Sequence, residues 1–117
     1  MKRLKGKKQI EQLFMTGNSV GAFPLRMVYL KTTIEHQIGV SVSKKHFKSA
    51  VDRNRIKRLL RVAVEKQLFE VLNSPDSNYC LMVLYVGKEM PTSVKLKEQF
   101  EFLIKRFNKK QLHEIES

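Results

Sequence analysis

This chain has little of what a catalyst usually carries. It has one cysteine, Cys80, so no disulfide can close within it. Cys80 sits in the apolar run Tyr79-Cys80-Leu81-Met82-Val83-Leu84-Tyr85-Val86 and reads as a small core residue. Tryptophan is absent. The three histidines, His36, His46 and His113, have no metal-ligand spacing to one another or to Cys80. The 11 acids are scattered, and none forms a paired-carboxylate motif. No glycine-rich loop could cradle a nucleotide phosphate, and no serine occupies a nucleophile elbow. No apolar run approaches the roughly 20 residues of a membrane span. Lys2 to Gln12 lacks the apolar centre of a secretory signal. These absences argue against a metal site, a side-chain nucleophile and a disulfide scaffold, and a cytoplasmic location is expected.

Positive charge is what the chain has in excess. Lys and Arg number 23, which leaves a net charge of +12 on 117 residues. That length is one domain, 1–117, and 42% hydrophobic residues suffice for a real core. The field attracts polyanions, nucleic acid first and anionic membrane second, and opposes self-association. A monomer is expected in isolation.

The charge is concentrated in Ser43 to Arg61, where eight of 19 residues are Lys or Arg and one is Asp. From Val51 onward the cations interleave with Ile56, Leu59, Leu60, Ala63 and Val64. At about 100° per residue, Arg53, Lys57, Arg61, Asn54 and Arg58 fall within roughly 140° of a helical wheel. Ile56, Leu59, Leu60 and Ala63 gather on the opposite side. One face can therefore pack while the other presents guanidinium, ammonium and amide groups to phosphate, sugar or base edges. Arg55 lies at the outer edge as plain solvent charge. Asp52 suits the first turn, as a cap or a complement to the helix dipole. Ser41, Ser43, Lys44 and Lys45 extend the same feature upstream.

Along the chain, Met1 to Lys8 is basic and reads as a loosely held start. Lys7 to Met15 is a helix candidate with Ile10, Leu13 and Phe14 on one face, and Gly17 is placed to end it in a left-handed conformation. Asn18 to Pro24 reads as a loop with room for a short strand near Ser19 to Phe23. Leu25 to Thr32 is a strand with Leu25, Met27 and Tyr29 on one face and Arg26, Val28 and Leu30 on the other. Thr33 to His36 is turn-like, and Gln37 to Ser43 is a second strand expected to form an antiparallel hairpin with the first. A loop, Lys44 to Ser49, leads into a helix from Val51 to Leu72. Asn73 to Asn78 is a turn, Tyr79 to Val86 a buried strand, and Gly87 to Thr92 a loop. The last helix runs from Ser93, a candidate N-cap, to Gln111. Its buried stripe is Leu96, Phe100, Leu103, Ile104 and Phe107, and Lys105, Arg106, Lys109 and Lys110 crowd its last turns, where they suit the dipole. The order α-β-β(-β)-α-β-α predicts an α+β fold, a two-layer sandwich of helices on a sheet.

The stretch Arg53-Asn54-Arg55-Ile56-Lys57-Arg58-Leu59-Leu60-Arg61, behind Val40-Ser41-Val42-Ser43-Lys44-Lys45 and Ala50-Val51, closely resembles the signature of the bacterial ribonuclease P protein family. The resemblance extends to Arg3-Leu4, to Phe14 and Gly17, to the strands and to the basic last helix. Two features depart from it. The loop His46-Phe47-Lys48-Ser49 is one residue longer than usual and lacks glycine, and Val62 stands where an acid is common.

The resemblance implies an RNA-binding protein subunit of a ribonucleoprotein whose RNA is the catalyst. That holoenzyme hydrolyses one phosphodiester of precursor tRNA to free the 5′ leader. It implies catalytic-RNA contacts from Lys44, Lys45, Lys48, Arg53, Asn54, Lys57, Arg58 and Arg61, and no catalytic residue or metal ligand in the protein. Mg²⁺ is held mainly by RNA phosphates. A cleft between the sheet and the first helix takes the leader, with Ile10, Phe14, Arg26 and Tyr29 as candidates; alternation alone does not say which strand face lines it. The implied partners are the catalytic RNA, one per protein, and precursor tRNA, with no membrane. A left-handed β-α-β crossover is also implied, against the usual rule. The competing reading is a structural RNA-binding protein of ribosomal or RNA-chaperone type, with no part in cleavage. A protein-only nuclease is disfavoured by the missing carboxylates.

Overall fold

The computed structural model describes the backbone of residues 2–4, 6–32, 37–68 and 78–116, with side chains at 4, 6, 8–32, 37–68 and 78–110. In chain order the elements are β1 Lys2–Arg3, α1 Lys7–Thr16, β2 Asn18–Ala22, β3 Leu25–Thr32, β4 Gln37–Val42, α2 Ala50–Ala63, β5 Asn78–Tyr85 and α3 Ser93–Glu116. A wider π-type turn, Val64–Leu68, continues α2. The expected turns at Thr33 to His36 and Asn73 to Ser77 lie outside the described residues. The fold is the mixed α+β sandwich that the element order predicts.

The sheet runs β1-β4-β5-β3-β2. The expected β3–β4 hairpin does not form. Strand β5 lies between the two, antiparallel to β3 and parallel to β4. The physical reason is its two-sided apolar character. Leu81, Val83 and Tyr85 join one core cluster, while Met82, with Cys80 and Leu84 partly buried beside it, joins the other. A strand apolar on both faces gains most from the centre of a sheet covered on both sides. Lys2 to Leu4 is not loose: Lys2 and Arg3 pair in parallel with Gln37 and Ile38, and Leu4 N–H donates to the Ile38 carbonyl at 3.1 Å.

Helices α2 and α3 cover one face of the sheet. Ile56 and Leu60 of α2 and Leu96, Phe100, Leu103 and Phe107 of α3 are buried there against Met27, Tyr29, Leu81 and Val83. Helix α1 covers part of the other face through Leu13, over Leu4, Val28 and Met82. Gly6 precedes α1 at φ +100°, a region glycine enters without a Cβ penalty.

Gly17 ends α1, but not in a left-handed conformation. Its φ of −76° and ψ of 160° are extended, and the chain passes straight into β2. Space, rather than φ, requires glycine here: a Cβ would strike the Leu13 carbonyl oxygen and come within 3.0 Å of the Tyr29 oxygen. Two helix-end expectations also change. Thr92, not Ser93, caps α3, since its Oγ1 accepts from Lys95 N–H at 3.2 Å. Arg106 and Lys110 do not sit at a helix end, because α3 continues to Glu116. They donate instead to the Gly21 carbonyl at 2.5 Å and the Ser19 carbonyl at 2.7 Å, tying α3 to strand β2.

Candidate nucleic-acid interface

Helix α2 has the two faces its period predicts. Ile56, Leu60 and Ala63 are buried, Asn54, Arg55 and Arg58 are exposed, and Arg53, Lys57 and Arg61 are half-buried at the boundary. Ser49 begins the helix: its extended backbone is that of an N-cap, and its Oγ accepts from Asp52 N–H at 3.5 Å. Asp52 contributes to the first turn as a charge at the positive end of the dipole.

The loop before α2 has a defined path, although its sequence departs from the resembled pattern. Phe47 is buried and its ring lies 6.1 Å from that of Tyr85. Phe47 N–H donates to the Ser43 carbonyl at 3.2 Å, and Lys45 N–H to Ser43 Oγ at 3.2 Å. Arg53 closes the loop from the helix side, its Nη1 donating to the carbonyls of Phe47 at 2.8 Å and Lys48 at 2.9 Å. Lys44, Lys45 and Lys48 are left exposed on a loop held at both ends. Sequence reasoning assigned Arg53 only to RNA contact and missed the anchor role of Phe47. An aromatic residue within a polar, basic loop was the available signal.

The four cleft candidates separate. Phe14 is 48% exposed on α1, and Ile10 is half-buried against the small cluster of Leu4, Leu13, Val28 and Met82. Arg26 is exposed on the sheet face that α1 covers, in a row with Gly21, Leu84 and Ser41 across four strands. Tyr29 is not on that face. Strand alternation turns it to the α3 side, where it is 1% exposed and meets the rings of Phe107 at 4.9 Å and Tyr79 at 6.3 Å. The strand residue that sequence reasoning missed is Val28, which faces α1.

Beside α1 lies a hollow of about 190 Å³ lined by Gln9, Gln12, Leu13, Leu30, Thr32, Gln37 and Cys80. Burial raises the pKa of the Cys80 thiol, which keeps it protonated and a weak nucleophile at neutral pH. Among the described residues no group of three His, Cys, Asp or Glu side chains could hold a metal ion, and no helix is long and apolar enough to cross a membrane. What the described surface offers chemically is hydrogen-bond donors and cations on α2 and its loop, and an aromatic edge with an arginine along the α1 face.

A family model for Ribonuclease P matches residues 1–108. A ribonuclease P protein component from Porphyromonas gingivalis is 36% identical over 97 residues, covering 76% of this chain and 70% of that protein. One from Carboxydothermus hydrogenoformans is 32% identical over 105 residues, covering 87% of each. With the Lactobacillus helveticus protein the match is 37% over 71 residues and spans only 58% of that relative. The fold is shared with the RNase P protein of Staphylococcus aureus, at TM-score 0.74 and 23% identity, covering 90% of this chain and 94% of that one. It is shared equally with that of Thermotoga maritima, at TM-score 0.74 and 20% identity, covering 91% and 97%.

Proposed function

We propose, from the premise that this chain belongs to the ribonuclease P protein family, that it is the RNA-binding subunit of a ribonucleoprotein that removes the 5′ leader of precursor tRNA. The observation that carries this reading is the division of labour on α2: Ile56, Leu60 and Ala63 buried, and Asn54 and Arg58 outward beside the braced Lys44–Lys48 loop. A cationic face on a rigid helix docks a folded RNA by neutralising phosphates and releasing counterions. Lys44, Lys45, Lys48, Asn54, Lys57, Arg58 and Arg61 are its contacts.

The leader takes the other side of the molecule. Phe14 offers a ring for a base, and Arg26 a guanidinium for a phosphate, on the face shared with α1. Bond cleavage belongs to the RNA partner. In this reading Mg²⁺ is held mainly by RNA phosphates, and the protein's part is to lower repulsion among catalytic RNA, substrate and metal ions.

Reconstitution tests this. The protein, the cognate catalytic RNA and a 5′-labelled precursor tRNA are mixed at low Mg²⁺, and release of the leader is followed. Stimulation of cleavage over RNA alone is expected. Binding without stimulation would leave a structural RNA-binding protein, and cleavage without any RNA partner would indicate a protein nuclease.

A further inference from the structure

One end of the sheet gathers features that neither core explains. Strand β4 leaves it through Ser43-Lys44-Lys45, β5 leaves it through Val86-Gly87-Lys88, and β3 arrives there from the Phe23-Pro24 turn. Neighbouring strands lie about 4.8 Å apart, so the turn and the basic loop are roughly 10 Å from each other across β5. The turn is pinned. Pro24 is buried, and its carbonyl accepts from Val86 N–H at 2.9 Å. Phe23, at its tip, is nevertheless 79% exposed.

The surroundings of that ring are mostly cationic. Lys44, Lys45, Lys48 and Lys88 are exposed at this end, and Arg26 is exposed one residue into β3. The acids there are Glu89, exposed, and Asp52, half-buried. Val86 and Met90 add exposed apolar surface. A large aromatic side chain held out from a rigid turn and flanked by cations complements one chemistry in particular: a planar base bonded to a phosphodiester chain. A second copy of this +12 chain would bring the same cations to the contact and be repelled.

We infer that Phe23 is a stacking platform for an unpaired nucleobase of bound RNA, with the adjoining phosphates on Lys44, Lys45, Lys88 and Arg26. The inference rests on the RNA-binding role proposed above. It adds an aromatic contact at the end of the sheet, between the α2 face, whose loop supplies Lys44 and Lys45, and the α1 face, which supplies Arg26. Stacking of this kind tolerates any base, because every base has a π face. The base could come from the catalytic RNA or from the leader.

The absence of tryptophan from the chain allows a direct test. Phe23→Trp creates a single tryptophan at the turn, excited selectively at the red edge where the three tyrosines do not absorb. It is titrated separately with the catalytic RNA and with a single-stranded leader oligonucleotide, while anisotropy of the labelled RNA reports binding. Quenching that saturates with the anisotropy of one RNA supports the platform and identifies its source. Phe102→Trp, at an exposed site on the outer side of α3, should not be quenched. Phe23→Ala and Phe23→Leu should weaken binding of that RNA by about 5- to 100-fold, and Phe23→Tyr should retain it. Normal anisotropy without quenching, together with unaltered binding by Phe23→Ala, overturns the platform and leaves the RNA-binding role standing. No anisotropy change with wild-type protein removes the role itself. Quenching that grows with protein concentration in the absence of RNA indicates self-association and also overturns the proposal.

Discussion

Arg53 and Arg58 carry the same charge on the same helix, yet alanine at the two positions should fail in different ways. Arg53 donates to two loop carbonyls, at 2.8 and 2.9 Å, and holds the segment that buries Phe47. Hydrogen bonds from a charged donor contribute about 1.5–3 kcal/mol each when shielded, and less where the carbonyl can rehydrate. Arg53 is half-buried and Lys48 exposed, so Arg53→Ala should cost roughly 1–3 kcal/mol in total. For a domain of this size that lowers Tm by roughly 4–12 °C. Lysine should restore part of it, because both bonds come from the one nitrogen Nη1 and an ammonium also carries donors for two carbonyls. Arg58 is exposed, and Arg58→Ala should stay within about 0.5 kcal/mol of wild type. Its effect appears in RNA binding, where the slope of log K against log salt should flatten by roughly 0.7–0.9, one phosphate contact. Thermal melts by circular dichroism and anisotropy titrations at several salt concentrations measure both. Equal melting temperatures for the two variants would refute the brace, and an unchanged slope for Arg58→Ala would refute the docking face.

Phe14→Ala should leave stability nearly unchanged and weaken leader-oligonucleotide binding by about 1–3 kcal/mol. Tyr29→Ala should cost about 3–5 kcal/mol in urea unfolding, as a core aromatic does, and the reverse pattern would return Tyr29 to the cleft. Gly17→Ala sets a methyl against two backbone oxygens and should destabilise by about 1–3 kcal/mol, read from the urea midpoint. The Tyr85 pKa is raised first by burial and then by the Glu89 carboxylate, while its hydroxyl donates to the Glu89 carbonyl at 2.6 Å. A raised folded-state pKa gives stability that is present below the unfolded value of about 10 and lost as pH rises through the folded one. Unfolding free energy should therefore fall at alkaline pH more steeply in wild type than in Tyr85→Phe.

Local periodicity was legible before the fold, and the meeting of distant segments was not. The two faces of α2 and the alternation of β3 each follow from the spacing of side chains along one element, and both stand in the structure. Which face of β3 meets α1 depends on how α1 turns through Gly17, so Tyr29 could not be assigned from alternation. The β3–β4 hairpin failed for a related reason. Adjacency in sequence favours it, while the two-sided apolar strand β5, far along the chain, takes the place between them. Gly17 shows that a residue type can be right and its cause wrong, since crowding by carbonyls, not a positive φ, excludes a side chain there. The basic stretch carries the same lesson into function. A sequence counts its cations alike, but carbonyl positions divide them into those turned inward and those left for phosphate. Arg53 is turned inward. Of the expected contacts, Lys44, Lys45, Lys48, Lys57, Arg58 and Arg61 remain as cations, which caps the salt slope from this stretch at roughly 4–5. A steeper measured slope would have to draw on cations outside this stretch, and Arg26 and Lys88, exposed near Phe23, are the first place to look for them.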